Sequence, residues 1–214
     1  GLTDSVTEAT LKYYGEYPPG SGKYYAYPTE GDANGWAYRT DIVDDPKEHE
    51  AFKAKYGYDY TIPPKDYKVF VDMSEFFYRP NANPPMYGAA VYTQKDYDAQ
   101  IMGYECVMFS WGVDWWGEGN QVIGVVNSDK AVEALEFYKG LYAFAPPGTN
   151  NAFYTEMNSV FVNGQATMIM NYFAFLPDLL NPEVNPHADV TGFFAGPAGP
   201  DGERYTSLGG QGMS

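Results

Sequence analysis

The 214 residues carry 28 acidic against 13 basic side chains, a formal charge of -15, and no basic patch, so a nucleic-acid partner is excluded. Apolar residues at 44% and charged ones at 19% exclude a disordered chain and a coiled coil, and no apolar run is long enough for a membrane-spanning helix. The aromatic content, 21 Tyr, 13 Phe and 4 Trp, exceeds what a core needs and suggests a surface that meets both apolar faces and hydroxyls.

Residues 2–14 read as a short helix opened by Thr3 or Asp4 and stopped near Gly15, with a turn-rich connector at 18–22. Two strands, 23–27 and 35–39, are expected around a polar loop at 28–34. Pro46, with acids in the first turn, opens a helix over 44–57 that Gly57 stops. Pro63 and Pro64 break the chain before a helix over 65–78, where Tyr67, Phe70, Val71, Ser74 and Phe77 fall at helical spacing. Residues 87–92 are a buried-type strand. Residues 94–110 look helical and lead into a glycine-punctuated aromatic loop holding Trp111, Trp115 and Trp116.

Asn127 or Ser128 caps the next helix, whose Val132, Leu135, Tyr138 and Tyr142 form a stripe expected to face the core. A helix over 153–162 turns Met157, Val160 and Phe161 inward and stops at Asn163 and Gly164. Residues 166–170 read as the central strand, with Met168 and Met170 on one face by parity. A helix is expected over 171–176, a strand near 189–193 and a final strand from about 204. Leu135, Val160, Phe161, Met168 and Met170 are expected to be buried. There is no internal repeat, and strands alternating with helices argue α/β layering.

The chain is poor in catalytic groupings. The single Cys106 excludes an intramolecular disulfide and, in its apolar stretch, reads as a buried, inert thiol. His49 lies on a charged helix face and His187 follows Pro186 in a loop, so both read as solvated surface. There is no nucleophile elbow, Walker loop, dinucleotide fingerprint or EF-hand loop, and no cofactor is called for. Gly31-Asp-Ala-Asn-Gly35 is only a fragment of a calcium-loop pattern, and no metal site is expected. A glycosidase would need two facing acids, and Asp32, Glu105, Asp114 and Glu118 are conceivable members; among 28 acids such pairs are not diagnostic.

The aromatic clusters say more. In a loop, Trp115 and Trp116 could both line a groove, while Trp111 or one of that pair could equally pack in the core. Tyr172 and Phe173 directly follow a buried strand, at the end of an α/β sheet where ligands bind.

Several strings occur in an order that resembles the family 1 extracellular solute-binding proteins of ABC importers. Tyr25-Ala-Tyr-Pro-Thr-Glu-Gly-Asp-Ala-Asn-Gly-Trp-Ala-Tyr-Arg-Thr-Asp41 looks like the family's crossover segment between lobes. Ile62-Pro-Pro-Lys-Asp-Tyr67 is similar to its Pro-Pro-Lys-Thr-Trp helix start. Glu156-Met-Asn-Ser-Val-Phe-Val-Asn-Gly-Gln-Ala-Thr-Met-Ile-Met-Asn171 resembles its Phe-x-x-Gly-x-Ala-Ala-Met signature, and Ser207-Leu-Gly-Gly210 its returning strand. The resemblance covers essentially the whole chain.

It implies an α/β, periplasmic-binding-protein-like (type II) lobe with a mixed sheet flanked by helices. Residues 1–214 would form mainly the second lobe, with 24–40 and 204–214 crossing between lobes and the first lobe largely absent. The implied activity is capture of a sugar or polyol between closing lobes, without covalent chemistry, and its delivery by a monomer to the membrane subunits of an ABC permease. A non-sugar solute or a carbohydrate-active enzyme are the alternatives. The location implied is periplasmic or otherwise extracytoplasmic, with or without a lipid anchor, and the full gene should encode a signal sequence absent here.

Residue by residue, Asp32 matches a carboxylate that accepts from sugar hydroxyls, Tyr172 the place of a stacking Trp, and Gly209 and Gly210 the strand that a ligand approaches. Gln211 departs from the pattern, since several sugar-binding members carry Trp there. The expected ligand contacts are Asp32, Trp36, Tyr92, Gln94, Trp111, Trp115, Trp116, Tyr172, Phe173 and Gly210.

Overall fold

The computed structural model describes residues 2–214. Along the chain the regular elements are Glu8–Thr10 (α1), Tyr27–Arg39 (β1), Thr40–Val43 (α2), Pro46–Tyr56 (α3), Tyr67–Phe76 (α4), Tyr87–Ala90 (β2), Ala99–Ser110 (α5), Asp129–Leu141 (α6), Tyr154–Val162 (α7), Ala166–Tyr172 (β3), Thr191–Phe194 (β4) and Leu208–Met213 (β5). They divide between two units, one made by the residues up to Ala33 with Leu208–Ser214, the other by Asn34–Ser207.

In the smaller unit the helix expected over 2–14 is three short pieces: a 3₁₀ turn at Leu2–Ser5, the single turn α1, and a π-type turn at Leu11–Gly15. The Thr7 hydroxyl caps α1 by accepting from the Thr10 N–H at 3.2 Å. The first half of β1 pairs antiparallel with β5, with Gly31 opposite Gly210 and Asp32 opposite Gly209. The two strands expected around a polar loop are therefore one continuous strand. Its turn-like composition, Pro, Gly, Asp and Asn, is overridden because β5 supplies a ladder along it.

The larger unit is an open mixed sheet in the order β2-β3-β1-β4. β2 and β3 run parallel, and β1 runs antiparallel to both β3 and β4, with Trp36 opposite Met170 and Tyr38 opposite Met168. Every residue of β3 is buried, as its continuous apolar run requires of a central strand. Met168, Met170, Val160 and Phe161 are all in the core. Each fully buried side chain of this size contributes roughly 1.5–3 kcal/mol relative to exposure.

The helices begin where their caps lie. Asp45 accepts from the Lys47 N–H at 2.9 Å before α3, Asp66 from the Val69 N–H at 2.9 Å before α4, and Ser128 from the Ala131 N–H at 3.3 Å before α6. The α6 stripe differs from expectation: Val132 and Leu135 are exposed, and the inward face is Ala131, Ala134, Tyr138 and Leu141. Large side chains suggested one face, but the tight approach to α5 selects the alanines. The helix expected from residue 94 starts only at Ala99, because Tyr97 has φ 58°, outside the helical region. Beyond β3 the expected helix is a pair of 3₁₀ turns, Phe173–Phe175 and Pro177–Leu180.

Both histidines are half-buried rather than solvated. His49 stacks on Tyr60 at 4.1 Å with Nδ1 2.7 Å from Asp59.

Candidate functional site

β2 and β3 run parallel, so both end on the same side of the sheet, where open α/β sheets place their ligands. The chain leaving β2 brings Tyr92 there and β3 brings Asn171 and Tyr172. The Tyr92 and Tyr172 rings stack at 6.4 Å with 20° between planes. Asn171 fixes them. Its Oδ1 accepts from the Tyr92 hydroxyl at 2.5 Å and from the Tyr172 N–H at 2.9 Å. Its Nδ2 donates to the Tyr154 carbonyl at 3.1 Å and to Asn158 Oδ1 at 2.8 Å.

A second chain of hydrogen bonds runs from Tyr172 to α5. Its hydroxyl lies 2.8 Å from Ser207 Oγ, Ser207 donates to Glu105, and Trp115 Nε1 donates to the other Glu105 oxygen at 3.2 Å. Since Ser207 commits its one proton to the carboxylate, Tyr172 is the donor in the pair. Burial pushes the Glu105 carboxyl above the ordinary range, the donors Ser207 and Trp115 pull it back, and the charge of Asp98 adds to the rise.

Around this buried network the aromatics stay open. Trp116 is 55% exposed and Phe173 40% exposed, while Trp115 is half-buried. Phe173 covers Gly35, where a Cβ would come within 2.5 Å of its ring, so only glycine lets the ring lie there. Gln94 is half-buried and its N–H is held by the Ala152 carbonyl at 3.0 Å.

The sequence expectation is corrected at several positions. Trp36 is 1% exposed, tilted against Phe70 at 4.4 Å and parallel to Phe194 at 6.1 Å, so it is a core residue with no face left for a solute. Trp111 is also core, packed on Tyr67 and Phe137 with Nε1 donating to Glu133 at 3.2 Å. Tyr92 is wholly buried and acts behind Tyr172 rather than at the surface. Tyr172 closes β3 instead of lying past its end, and is itself buried.

In the smaller unit, Asp32 is half-buried and its Oδ1 accepts from the Ala33 N–H at 2.7 Å. Gly210 has φ 138°, and a Cβ there would meet the Glu30 carbonyl at 2.4 Å, so β1 itself requires this glycine.

Sequence reasoning passed over Asn171 and Ser207 and treated Glu105 only as a possible catalytic acid. One signal was present: Glu105 is the single charged residue in the mostly apolar α5. The other acids do not pair with it. Asp114 is exposed and bonded to the Trp115 N–H at 2.7 Å, and Glu118 is exposed in a 3₁₀ turn. Among the described residues no His, Cys, Asp or Glu cluster could hold a metal ion, and no helix is long and apolar enough to cross a membrane. Burial pushes the Cys106 thiol up to about 12.

The mixed sheet flanked by helices, with its aromatic and hydroxyl-bearing end, is a periplasmic-binding-protein lobe of type II. The whole chain, residues 1–214, matches the bacterial extracellular solute-binding proteins, and it belongs to that family. A probable ABC transporter-binding protein of Deinococcus radiodurans is 30% identical over 197 residues, covering 88% of this chain and 42% of the relative.

A ribitol-bound ABC transporter solute-binding protein from Agrobacterium radiobacter K84 superposes with a TM-score of 0.76 at 22% identity, over 98% of this chain and 47% of its own. Maltose-bound MalE3 of T. maritima gives 0.69 at 25% identity, over 94% and 46%. The chain thus spans about half the length of these relatives.

Proposed function

We propose that this chain forms mainly the second lobe of the extracytoplasmic binding component of an ABC transporter, which captures a sugar or polyol and delivers it to the permease. The observation that carries the reading is the chain Tyr172–Ser207–Glu105–Trp115 at the end of β3, with the exposed residues Trp116 and Phe173 next in sequence to Trp115 and Tyr172. Aromatic faces stack on the C–H surface of a polyhydroxylated molecule, while carboxylate and hydroxyl groups match its hydroxyls. Relatives crystallised with ribitol, maltose and D-mannitol support that class of solute.

In this reading Gln94, Trp115, Trp116 and Phe173 of the larger unit serve the solute and Glu105 joins them, Tyr172 and Tyr92 standing buried behind as supports, while Asp32 and Gly210 are the contacts that the smaller unit would offer by itself. Residues 24–40 and 204–214 cross between the lobes of the full-length protein. That protein works as a monomer outside the cytoplasmic membrane, without covalent chemistry on its solute.

Calorimetry on the full-length protein with ribitol, mannitol, maltose, a polyamine and divalent metals tests this. Binding of a sugar or polyol, recovered chemically intact, supports the proposal. Binding confined to the polyamine or a metal, or conversion of the solute, would sink it.

A further inference from the structure

The larger unit has a second concave region at the opposite end of its sheet. Tyr172 marks the carboxyl end of β3; the residues before that strand, Gly164 and Gln165, line a cavity of about 750 Å³ with Met86 and Tyr87 at the start of β2 and Arg39 at the end of β1. None of the residues assigned above to the solute lines it. The volume is in the range of small-molecule sites.

Its lining is mixed: Pro84, Pro85 and Met86 supply apolar surface, and Arg39, His187, Asn163 and Gln165 supply polar groups. Two of these, Arg39 and His187, flank Gly164: the ideal Cβ position of that glycine lies 3.1 Å from His187 Nε2 and 3.6 Å from Arg39 Nη1, and both side chains line the cavity. Gly164 has φ 66°, so backbone conformation as well as space keeps a side chain from that point. Arg39 is anchored from its other side, Nε and Nη2 donating to the Asp41 carboxylate at 2.8 and 2.6 Å, and its side chain is only 12% exposed. Nη1 is the nitrogen beside Gly164. His187 is placed by its backbone, its N–H donating to Asn185 Oδ1 at 3.0 Å and its carbonyl accepting from the Thr191 hydroxyl at 2.8 Å.

We infer that this cavity is a second binding site, for a small monocarboxylate with an apolar body. The carboxylate oxygens accept from Arg39 Nη1 and His187 Nε2 where these face the cavity beside Gly164, each able to present an N–H, and the body lies against Pro84, Pro85 and Met86. Asp41 already offsets the guanidinium charge, so an anion is held here by directed N–H donors rather than by net charge, and repulsion from the Asp41 carboxylate weighs more on a phosphate dianion than on a monocarboxylate. A neutral polyol would leave the proline surface unused.

The test is an NMR titration of the full-length protein with benzoate, its uncharged isostere benzamide, and acetate, following the Met86 methyl and His187 ring signals. Benzoate is expected to move both, with benzamide and acetate weaker by about tenfold, the scale of one lost charge-assisted hydrogen bond or apolar contact. Arg39→Gln and His187→Leu should each weaken benzoate by about tenfold and leave solute affinity unchanged. Should Arg39→Gln fail to fold, Gly164→Asn, which suits the left-handed backbone and fills the space beside both groups, gives the same loss. Benzamide binding as well as benzoate, or no shift up to the solubility limit of benzoate, overturns the assignment. Loss of sugar or polyol binding is read at Trp116 and Phe173 instead, so the two proposals fail separately.

Discussion

The Tyr172 hydroxyl lies 2.8 Å from Ser207 Oγ, and through that serine the end of β3 is tied to the Glu105 carboxylate in the middle of α5. A residue expected to be a free stacking platform is thus also a structural joint. Its ring is buried against Tyr92 and its hydroxyl belongs to the network that positions Glu105 and Trp115.

Tyr172→Ala is accordingly expected to destabilise the fold by about 3–5 kcal/mol, the cost of emptying a buried aromatic position. Tyr172→Phe keeps the ring and removes one hydrogen bond, for about 1 kcal/mol. Urea unfolding of both variants separates the two roles. Equal stability of Tyr172→Ala and the parent would return the residue to the surface.

Glu105 makes stability depend on pH. Burial raises its carboxyl above the ordinary range, so the folded chain holds a proton over an interval where the unfolded chain has lost it. Its contribution to stability is therefore greatest below the ordinary glutamate value, falls as pH rises through the interval, and is constant above it. Glu105→Gln lacks that fall. The stability of the variant relative to the parent should improve as pH rises across the interval, measured as urea midpoints at a series of pH values. A gap that does not change with pH contradicts this.

What the sequence made legible followed periodicity and punctuation. The central strand announced itself by its apolar run, and α4, α6 and α7 by caps and stops close to where they occur. What it hid depended on partners distant along the chain. The polar stretch 28–34 looks like a loop until β5 pairs with it. The α6 stripe slipped by one residue because Val132 and Leu135 are larger than the Ala131 and Ala134 that face the core. In the candidate site, aromatic composition was visible, but which rings were core was not. Trp36 looks no different from Trp116 until β4 and α4 close over it. Asn171 and Ser207 carry no signal of their own, since their importance is a matter of what they meet.

The α6 register gives a direct check. Leu135 is 45% exposed and Ala134 fully buried. Leu135→Ser is expected to change stability by no more than about 0.5 kcal/mol, while Ala134→Leu overpacks the interface and costs about 1–3 kcal/mol. Thermal unfolding of the pair decides whether the stripe is the one described.

Cys106 should be silent in the native protein. Its thiol is buried and pushed up to about 12 by loss of solvation, so at neutral pH almost no thiolate forms. A thiol–disulfide exchange reagent is expected to label it only after denaturant is added. Rapid stoichiometric labelling of native protein would place the cysteine at the surface.

The tryptophans separate fold from function most sharply. Trp36 is 1% exposed between Phe70 and Phe194, and Trp116, next in sequence to the Trp115 that bonds Glu105, is 55% exposed. Removing the first empties a core position, so Trp36→Ala should cost about 3–5 kcal/mol whatever solute is present. Removing the second touches little packing, so Trp116→Ala should stay folded and, as a stacking residue that a bound sugar or polyol covers, lose about 2–4 kcal/mol of binding, or roughly 30- to 1000-fold in affinity. Circular dichroism with calorimetry on both full-length variants gives the comparison. If Trp116→Ala binds the solute as tightly as the parent, stacking in this lobe falls to Phe173. Gly35→Ala, which would push that ring aside, then becomes the variant that must lose affinity.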